Sequence, residues 1–295
     1  MAEFTAKDVM VLRERTGAGM MDCKKALVDA DGDMEKAGDL LRERGIAKAA
    51  KRATKVAAEG LVYALVEGNK GVLVEVNCES DFVAKGDKFK ALVVDIAKQI
   101  LAVNPADVDA LLASNMNGKT VESYVQEATA VIGEKISVRR FTMYTSKGFL
   151  ETYIHMGGTM GVMLDFDGAC NDENKDIAHN VALHTAFSKP AYLSADEVSE
   201  ETLEKEKAIL TQEVLNEGKP QAIAEKIVMG KIKKYYEENC LLEQKFVKDE
   251  SLTIKQLLGK LKLNRFCFYV MGQGIEKKSE DLQEEVNKQV EAMKK

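Results

Sequence analysis

The chain has 295 residues, of which 45% are hydrophobic and 31% are charged, and its formal net charge is −6 at pH 7. The length suggests two or more domains, and the composition is typical of a soluble globular protein. Charged residues interrupt every long apolar run, which argues against a membrane-spanning helix. The acidic charge and the absence of tryptophan argue against a dedicated nucleic-acid-binding protein, which would usually be basic and would stack bases on aromatic side chains.

Two features of the sequence bear on where the protein works. The first residues carry acidic side chains and lack the apolar core of a signal peptide, so none is expected. The cysteines are widely separated and include no Cys-x-x-Cys pair. We therefore expect reduced thiols, a cytoplasmic protein and no zinc site. The five cysteines are Cys23, Cys78, Cys170, Cys240 and Cys267.

Residues 1–55 are predicted to form a three-helix bundle with a basic linker at its end. Thr5 and Asp8 resemble a capping box at the start of the first helix, with Asp in place of the usual Glu or Gln. Met20 and Met21 follow a glycine-rich break and begin the second helix. Because consecutive helical residues lie about 100° apart, the two methionines cannot both point inward. Flexible apolar side chains left at a helix start are often interaction sites.

The third helix of the bundle is predicted from its N-cap, Asp33, to Arg44, with Gly45 ending it. The basic residues that follow are interpreted as a solvated hinge, in preference to a nucleic-acid contact. These residues are Lys48, Lys51, Arg52 and Lys55.

Residues 56–145 are predicted to form a first unit of strands and helices. The second strand, 72–76, is mostly β-branched and apolar, which predicts a buried strand. A helix with apolar residues at helical spacing follows, and Asn104 with the next residue, Pro105, ends it. The expected elements are strands at 61–67, 72–76 and 136–145, the last carrying Arg139 and Arg140, and helices at about 87–103 and 121–132.

The residues directly after the strand 72–76 are of particular interest. Asp81 and Phe82 begin a segment that is expected to become helical after Gly86. An aromatic residue just past a buried strand can fold back into the core. Alternatively, Phe82 stands out on a tight loop beside a carboxylate, where it would contact a partner. The local sequence leaves both interpretations open.

A similar order of elements then returns, which predicts a duplicated strand-strand-helix unit. The strand sequence Gly-Val-Leu-Val-Glu-Val from Gly71 matches Gly-Val-Met-Leu-Asp-Phe from Gly161. The fold class is therefore predicted to be α+β with antiparallel sheets. The second unit takes 146–195 and 240–273, with strands at 149–155, 161–166 and 264–272 and helices at 174–187 and 253–261.

The insertion at 196–239 is charged and helix-prone, and it is predicted to be an antiparallel helical hairpin with its turn at Gly218-Lys219-Pro220. An apolar seam on so thin an arm favours either packing of the arm on itself or a dimer partner. A C-terminal helical module is expected at 274–295. The seam residues are Leu203, Leu210, Val214, Ile223, Ile227 and Val228, and the C-terminal helix, 278–295, carries Leu282, Val286 and Val290.

We find no catalytic, cofactor or metal motif in the sequence. The Asn-Gly-Lys-Thr sequence at 117–120 lacks the first glycine of a phosphate-binding loop, because Ala113 occupies that position. The glycines at 157–158 fall short of a dinucleotide fingerprint, and the three histidines contain no pair at i, i+4 spacing. His155 is interpreted as a structural histidine, with an interface role as the alternative. These patterns predict a binding protein and no enzyme. An RNA-associated module that uses the basic linker and an enzyme in the cleft between the two units are the alternatives.

Two longer motifs resemble signatures of the bacterial elongation factor Ts family. They are Thr-Gly-Ala-Gly-Met-Met-Asp-Cys-Lys-Lys-Ala-Leu from Thr16 and Val-Asn-Cys-Glu-Ser-Asp-Phe-Val-Ala-Lys from Val76. The resemblance covers essentially the whole chain in order. It continues through Ile132-Gly133-Glu134, Arg139-Arg140, His155, Ser188-Lys189-Pro190, Gly218-Lys219-Pro220 and the Gly-Gln-Gly-Ile-Glu sequence at 272–276.

The resemblance implies nucleotide exchange on the translational GTPase EF-Tu, with no cofactor. It also implies that Ser80, Asp81, Phe82 and Val83 form the segment that enters the GTPase near its magnesium site. Phe82 would be a wedge, and Asp81 would help to disturb the magnesium coordination. Ser80 replaces the family's threonine, and since both residues carry a hydroxyl we expect little consequence beyond a lost methyl contact.

The resemblance also implies further contacts with the GTPase. Arg13, Met20 and Met21 match positions that touch a helix of its nucleotide domain. The helix after Gly274 would reach the same domain, and the helical hairpin would be a dimerisation arm. Contacts of the core with the rest of the GTPase are implied at Ile132, Gly133 and His155.

Overall fold

A computed structural model describes residues 4–218 and 220–276, and within them the fold is α+β, as predicted. Lys219 and the predicted C-terminal helix lie outside the described residues. The helices are α1 (Ala6–Thr16), α2 (Met20–Asp29), α3 (Met34–Arg52), α4 (Asp81–Lys85), α5 (Asp87–Val103), α6 (Val108–Ala113), α7 (Val121–Ile132), α8 (Asp172–Ser188), α9 (Glu200–Asn216), α10 (Gln221–Asn239) and α11 (Ile254–Leu258). The strands are β1 (Glu59–Glu67), β2 (Lys70–Cys78), β3 (Asn115–Met116), β4 (Lys119–Thr120), β5 (Ser137–Thr145), β6 (Phe149–His155), β7 (Met160–Asp167), β8 (Lys245–Phe246), β9 (Asp249–Thr253) and β10 (Lys262–Val270).

The N-terminal bundle is formed by α1, α2 and α3 around a small core. The predicted capping box is confirmed, since the Thr5 hydroxyl accepts from the Asp8 backbone N–H (3.3 Å) and the Asp8 carboxylate accepts from the Thr5 backbone N–H (2.7 Å). Gly17 ends α1 in the left-handed conformation, with φ of 69°, which glycine adopts without steric cost. Leu12 and Leu27 are fully buried at the centre of the bundle.

Helix α3 does not end at Gly45, and this part of the prediction is wrong. Gly45 lies within the helix, where an added Cβ would come 3.0 Å from the Cβ of Ala130 on α7. The glycine therefore allows two helices to approach closely, a tertiary reason that is invisible in the local sequence. Three of the predicted linker residues, Lys48, Lys51 and Arg52, belong to the last turns of α3, so they do not form a hinge.

The centre of the molecule consists of two three-stranded antiparallel sheets of the same order. The first sheet has the order β1-β2-β5 and the second β6-β7-β10. On β2, Val74 faces the core under α5 and Leu73 faces the second sheet. On β7, Leu164 faces α8 and Met163 faces the first sheet. The two sheets therefore pack face to face with helices outside each, and their central strands are buried on both sides, which confirms the buried strand predicted for β2.

Each sheet places an acid and an arginine on its inner face. Glu75 on β2 accepts from Arg140 Nε (2.6 Å), and Asp165 on β7 accepts from Arg265 Nε (2.8 Å). Each arginine also stacks on a tyrosine of the opposite sheet, and these cation–π contacts stabilise the packing of the two sheets. This correspondence accords with the predicted duplication, although common descent of the two units stays a prediction. The stacked pairs are Arg140–Tyr269 and Arg265–Tyr144, with 4.2 and 4.1 Å between guanidinium carbon and ring centroid.

Helices α9 and α10 pack against each other as a hairpin. Val214, Ala224, Val228 and Ile232 are buried between the helices, so the apolar seam is closed by the hairpin itself. Ile223 departs from the expectation, because 51% of it is exposed. The described part of the chain contains no helix whose length and apolar character would allow it to cross a membrane.

Candidate functional site

The segment with Ser80, Asp81, Phe82 and Val83 forms a helical turn at the end of β2. Helix α4 already starts at Asp81, whereas the sequence predicted helix only after Gly86. The reason is local, since the Ser80 hydroxyl accepts from the Val83 backbone N–H (3.3 Å) and caps the short helix. We call residues 80–83 the exposed turn.

Phe82 projects from the exposed turn into solvent, with 84% of its surface exposed. The interpretation of Phe82 as a core residue is therefore wrong. Its neighbours face the other way, because Val83 packs against the core of the first sheet and Ala84 is buried there. A single exposed ring is not unusual on a protein surface, but aromatic side chains are enriched among the residues that dominate binding to a partner.

Asp81 lies beside Phe82 and is also exposed. Its carboxylate accepts a hydrogen bond from Lys85 Nζ at 2.6 Å, one helical turn later. This bond lowers the pKa of the Asp81 carboxyl below its usual value, so the group is ionised at neutral pH. The exposed turn thus presents an ionised carboxylate, paired with the Lys85 ammonium group, next to an aromatic ring.

Hydrogen bonds to two carboxylates, Glu134 and Glu79, connect the exposed turn with the residues that follow α7. Glu134 accepts from the backbone N–H groups of Glu79 (3.1 Å) and Ser80 (2.9 Å) and from the Ser80 hydroxyl (2.6 Å). In return, Glu79 accepts from the Lys135 backbone N–H (2.6 Å) and from Arg52 (3.0 Å). Glu134 lies within the Ile132-Gly133-Glu134 motif of the resemblance, which implied no role for it.

The predicted contact residues Ile132 and Gly133 lie next to this network. Gly133 ends α7 in the left-handed conformation, with φ of 87°, and turns the chain so that Glu134 reaches the exposed turn. Ile132 packs partly against the core of the first sheet. The structure therefore brings 80–83 and 132–134 together into one surface region.

His155 lies at the end of β6, in the second sheet, and its Nδ1 is 2.9 Å from the hydroxyl of Tyr153. The hairpin turn after it docks on β1, because the Gly158 carbonyl accepts from the Val62 backbone N–H (2.8 Å). Val62 lies opposite Glu75 on β2, three residues before that strand ends at Cys78. Met156, which the sequence analysis did not single out, is 77% exposed at this hairpin.

The remaining predicted contacts lie on the N-terminal bundle. Arg13 is exposed on α1, and Met20 and Met21 are 43% and 75% exposed at the start of α2. The bundle is joined to the core where α3 packs on α7 and by the Arg52–Glu79 ion pair. The predicted contact residues thus occupy three separate places on the surface.

Two observations bear on whether this surface could hold a metal ion or a reactive nucleophile. Among the described residues, no group of three or more His, Cys, Asp or Glu side chains is placed to hold a metal ion. The buried thiol of Cys78, which precedes the exposed turn, donates to the Ser80 carbonyl (3.2 Å), and burial raises the pKa of this thiol to about 12. Such a thiol stays protonated and is a poor nucleophile.

Comparison with known proteins gives the family. The sequence model described as Elongation factor TS matches residues 79–273. The chain is also 49% identical over 294 residues to "Elongation factor Ts" of Halothermothrix orenii, covering 97% of this chain and 98% of that protein. The chain belongs to the elongation factor Ts family. Membership places it among the elongation factors of protein biosynthesis. The matched range begins at Glu79, the residue before the exposed turn.

Proposed function

We propose that this protein is a guanine-nucleotide exchange factor that promotes release of GDP from the GTPase EF-Tu by inserting the exposed turn beside the magnesium and phosphate site. The observation that carries the proposal is Phe82, an aromatic ring held 84% exposed on a capped and clamped turn, in a chain of the elongation factor Ts family.

The proposed activity needs only differential binding. GDP on such a GTPase is held by backbone donors and by a magnesium ion on its phosphate oxygens. A factor accelerates release when it binds the nucleotide-free form more tightly than the GDP form, and GDP then weakens the factor by the same ratio. A ratio of ~10³ requires about 4 kcal/mol of differential binding. No chemical step by the factor itself is involved.

The exposed turn has two means of producing that difference. Phe82 can bury its ring in the partner only if the partner's side chains move apart, and burial of a phenyl group favours the opened state. Once the Asp81–Lys85 pair separates, the ionised Asp81 carboxylate would repel phosphate oxygens and compete for the cation that they share. Both groups act together because one capped turn carries them.

We further propose that Arg13, Met20 and Met21 on the bundle and Ile132, Gly133 and His155 on the core contact EF-Tu. Contacts on separate elements would hold the factor in place while the turn is inserted. The site of action would be the cytoplasm. The hairpin α9–α10 is proposed as a dimerisation arm, which would use its outward apolar side chains, since the seam is already closed. These are Ile209, Ile223 and Met229, which are 63%, 51% and 74% exposed.

The test is release of a fluorescent GDP from purified EF-Tu with and without this protein, repeated with Phe82→Ala. The intact protein should accelerate release strongly. Phe82→Ala should reduce the maximal release rate at least about thirtyfold, since truncation of a buried aromatic anchor typically costs about 2 kcal/mol or more and each ~1.4 kcal/mol is a tenfold change in rate. The substitution should leave the fold unchanged because the Phe82 side chain is exposed to solvent.

Phe187→Ala provides a matched control, because Phe187 is also an exposed phenylalanine, at 73%, but lies at the end of α8. This variant should exchange nucleotide at the wild-type rate. Acceleration that survives in Phe82→Ala would keep the activity and reject the wedge. No acceleration by the intact protein would reject the proposed function.

A further inference from the structure

Glu134 is the residue that connects the exposed turn to the body of the protein. Strand β2 ends at Cys78, so the backbone N–H groups of Glu79 and Ser80 have no partner in the sheet. One oxygen of Glu134 accepts from both of them, at 3.1 and 2.9 Å, and the other accepts from the Ser80 hydroxyl at 2.6 Å. Three donors therefore meet one carboxylate, and hydrogen bonds to a charged acceptor are the stronger kind.

The Ser80 hydroxyl is the link between this carboxylate and the helical turn. It donates to Glu134 and at the same time accepts from the Val83 backbone N–H at 3.3 Å. A hydroxyl has one hydrogen, so donation to Glu134 leaves its lone pairs available for the cap. The orientation of the turn that carries Phe82 is thereby coupled to the end of α7.

The position of Glu134 is itself fixed from both sides. Gly133 precedes it as the left-handed cap of α7, with φ of 87°. Lys135 follows it, donating its backbone N–H to Glu79 (2.6 Å) and its ammonium group to the carbonyls of Ala53 (2.7 Å) and Lys55 (2.9 Å). The residues on both sides of Glu134 therefore hold its carboxylate in place, and from there it can fix the orientation of the exposed turn.

We propose that Glu134 is a positioning residue for nucleotide exchange, which sets the pose of the exposed turn and so delivers Phe82 to the partner. This inference rests on the proposed exchange function. It assigns Glu134 no contact with EF-Tu, because its carboxylate is occupied by Glu79 and Ser80.

The first experiment compares release of fluorescent GDP from EF-Tu by the full-length wild type, Glu134→Ala, Phe82→Ala and the double variant. Glu134→Ala should lower the maximal release rate about tenfold, the equivalent of one charge-assisted hydrogen bond, with little change in the concentration of half-saturation. In the Phe82→Ala background the same substitution should have no further effect, since the side chain that it positions is gone. Glu134→Gln keeps an acceptor oxygen and should restore part of the rate.

The second experiment measures the turn directly. The chain contains no tryptophan, so Phe82→Trp introduces a single fluorescent reporter at the exposed turn. Time-resolved anisotropy of this tryptophan should show faster and wider local motion when Glu134→Ala is added. Glu122→Ala is the matched control, because Glu122 is an exposed glutamate at the opposite end of α7 and should change neither the rate nor the anisotropy.

The outcomes separate the two proposals. If Phe82→Ala slows release but Glu134→Ala does not, or if the two effects are additive, the positioning role is overturned and the exchange function stands. If Phe82→Ala has no effect, the wedge fails, and the tryptophan anisotropy alone then decides whether Glu134 orients the turn. Unchanged anisotropy in Glu134→Ala overturns the inference in either case.

Discussion

Substitution of Glu75 by glutamine tests the idea that a buried carboxylate holds the two sheets and the end of β10 together. Glu75 is fully buried. One of its oxygens accepts from the Gly272 backbone N–H (2.8 Å) and from Arg139 (3.0 Å), and the other accepts from Arg140 (2.6 Å). Glutamine keeps the shape and one acceptor oxygen but turns an NH₂ group toward a guanidinium.

We expect Glu75→Gln to lower the free energy of unfolding by about 2 kcal/mol. One hydrogen bond to a charged group is lost, which costs about 1.5–3 kcal/mol. The lower part of that range applies because Arg139 and Arg140, at 27% and 34% side-chain exposure, can be rehydrated. Urea unfolding followed by far-UV circular dichroism at pH 7 measures the difference. Glu67→Gln, an exposed carboxylate at the end of β1, should change the stability by less than about 0.5 kcal/mol.

The effect should also depend on pH. Burial alone would raise the pKa of the Glu75 carboxyl, but the bonds from Gly272, Arg140 and Arg139 outweigh it and hold the pKa below its usual value. A lowered folded-state pKa stabilises the protein above the unfolded value, about 4.3 for Glu, and that stabilisation is lost as the pH falls through the folded value. The difference in free energy of unfolding between wild type and Glu75→Gln should therefore be largest near pH 7 and become smaller in more acidic solution. Equal stabilities at pH 7, or a gap that persists unchanged through acid titration, would refute this reasoning.

Two further predictions concern stability. Gly272→Ala should lower the free energy of unfolding by more than about 2 kcal/mol, because Gly272 has φ of 69° and an added Cβ would lie 2.4 Å from the Ala58 carbonyl oxygen. Gly118→Ala is the control: φ is 84° there but the space is open, so only about 1 kcal/mol of left-handed strain is expected. Equal losses of stability in urea unfolding would contradict the clash. His184 is buried between Gln244 (2.9 Å) and the Val247 backbone N–H (3.2 Å), and burial lowers the pKa of its imidazole. The contribution of neutral His184 to the free energy of unfolding should be complete above the unfolded-state pKa of about 6.5 and be lost as the pH falls below it. The wild type should therefore lose stability on acidification more steeply than His184→Gln. Parallel profiles of stability against pH would contradict this role.

The elements of this fold were largely predictable from the sequence. Helical and strand periodicity is a local property, and so are most of the signals that end an element. Thr5 and Asp8 cap α1 as predicted, Asp33 caps α3, and Asn104 ends α5 in the left-handed conformation. Motif resemblance added the family, which the comparisons then confirmed.

Gly45 shows where local reasoning failed. As a sequence signal it is the same as Gly17, and a glycine after a helical pattern usually ends the helix. Gly17 does end α1, but Gly45 lies inside α3 because it faces Ala130 on α7. The partner is 85 positions away in the chain (130 − 45), so the choice between the two roles depends on helix packing alone.

The same distinction applies to the candidate site. The sequence determined where strand β2 ends, because its apolar run and the polar residues after it occupy consecutive positions, but it placed helix only after Gly86 and missed the Ser80 cap. It could not decide whether Phe82 is buried, since an aromatic ring after a strand fits either a core or a surface. Only the tertiary structure decided it, by filling the core of the first sheet with Val83 and Ala84 and leaving Phe82 in solvent. Glu134 likewise became meaningful only when the fold brought α7 to the end of β2, because hydrogen bonds between distant segments leave no pattern in a single sequence.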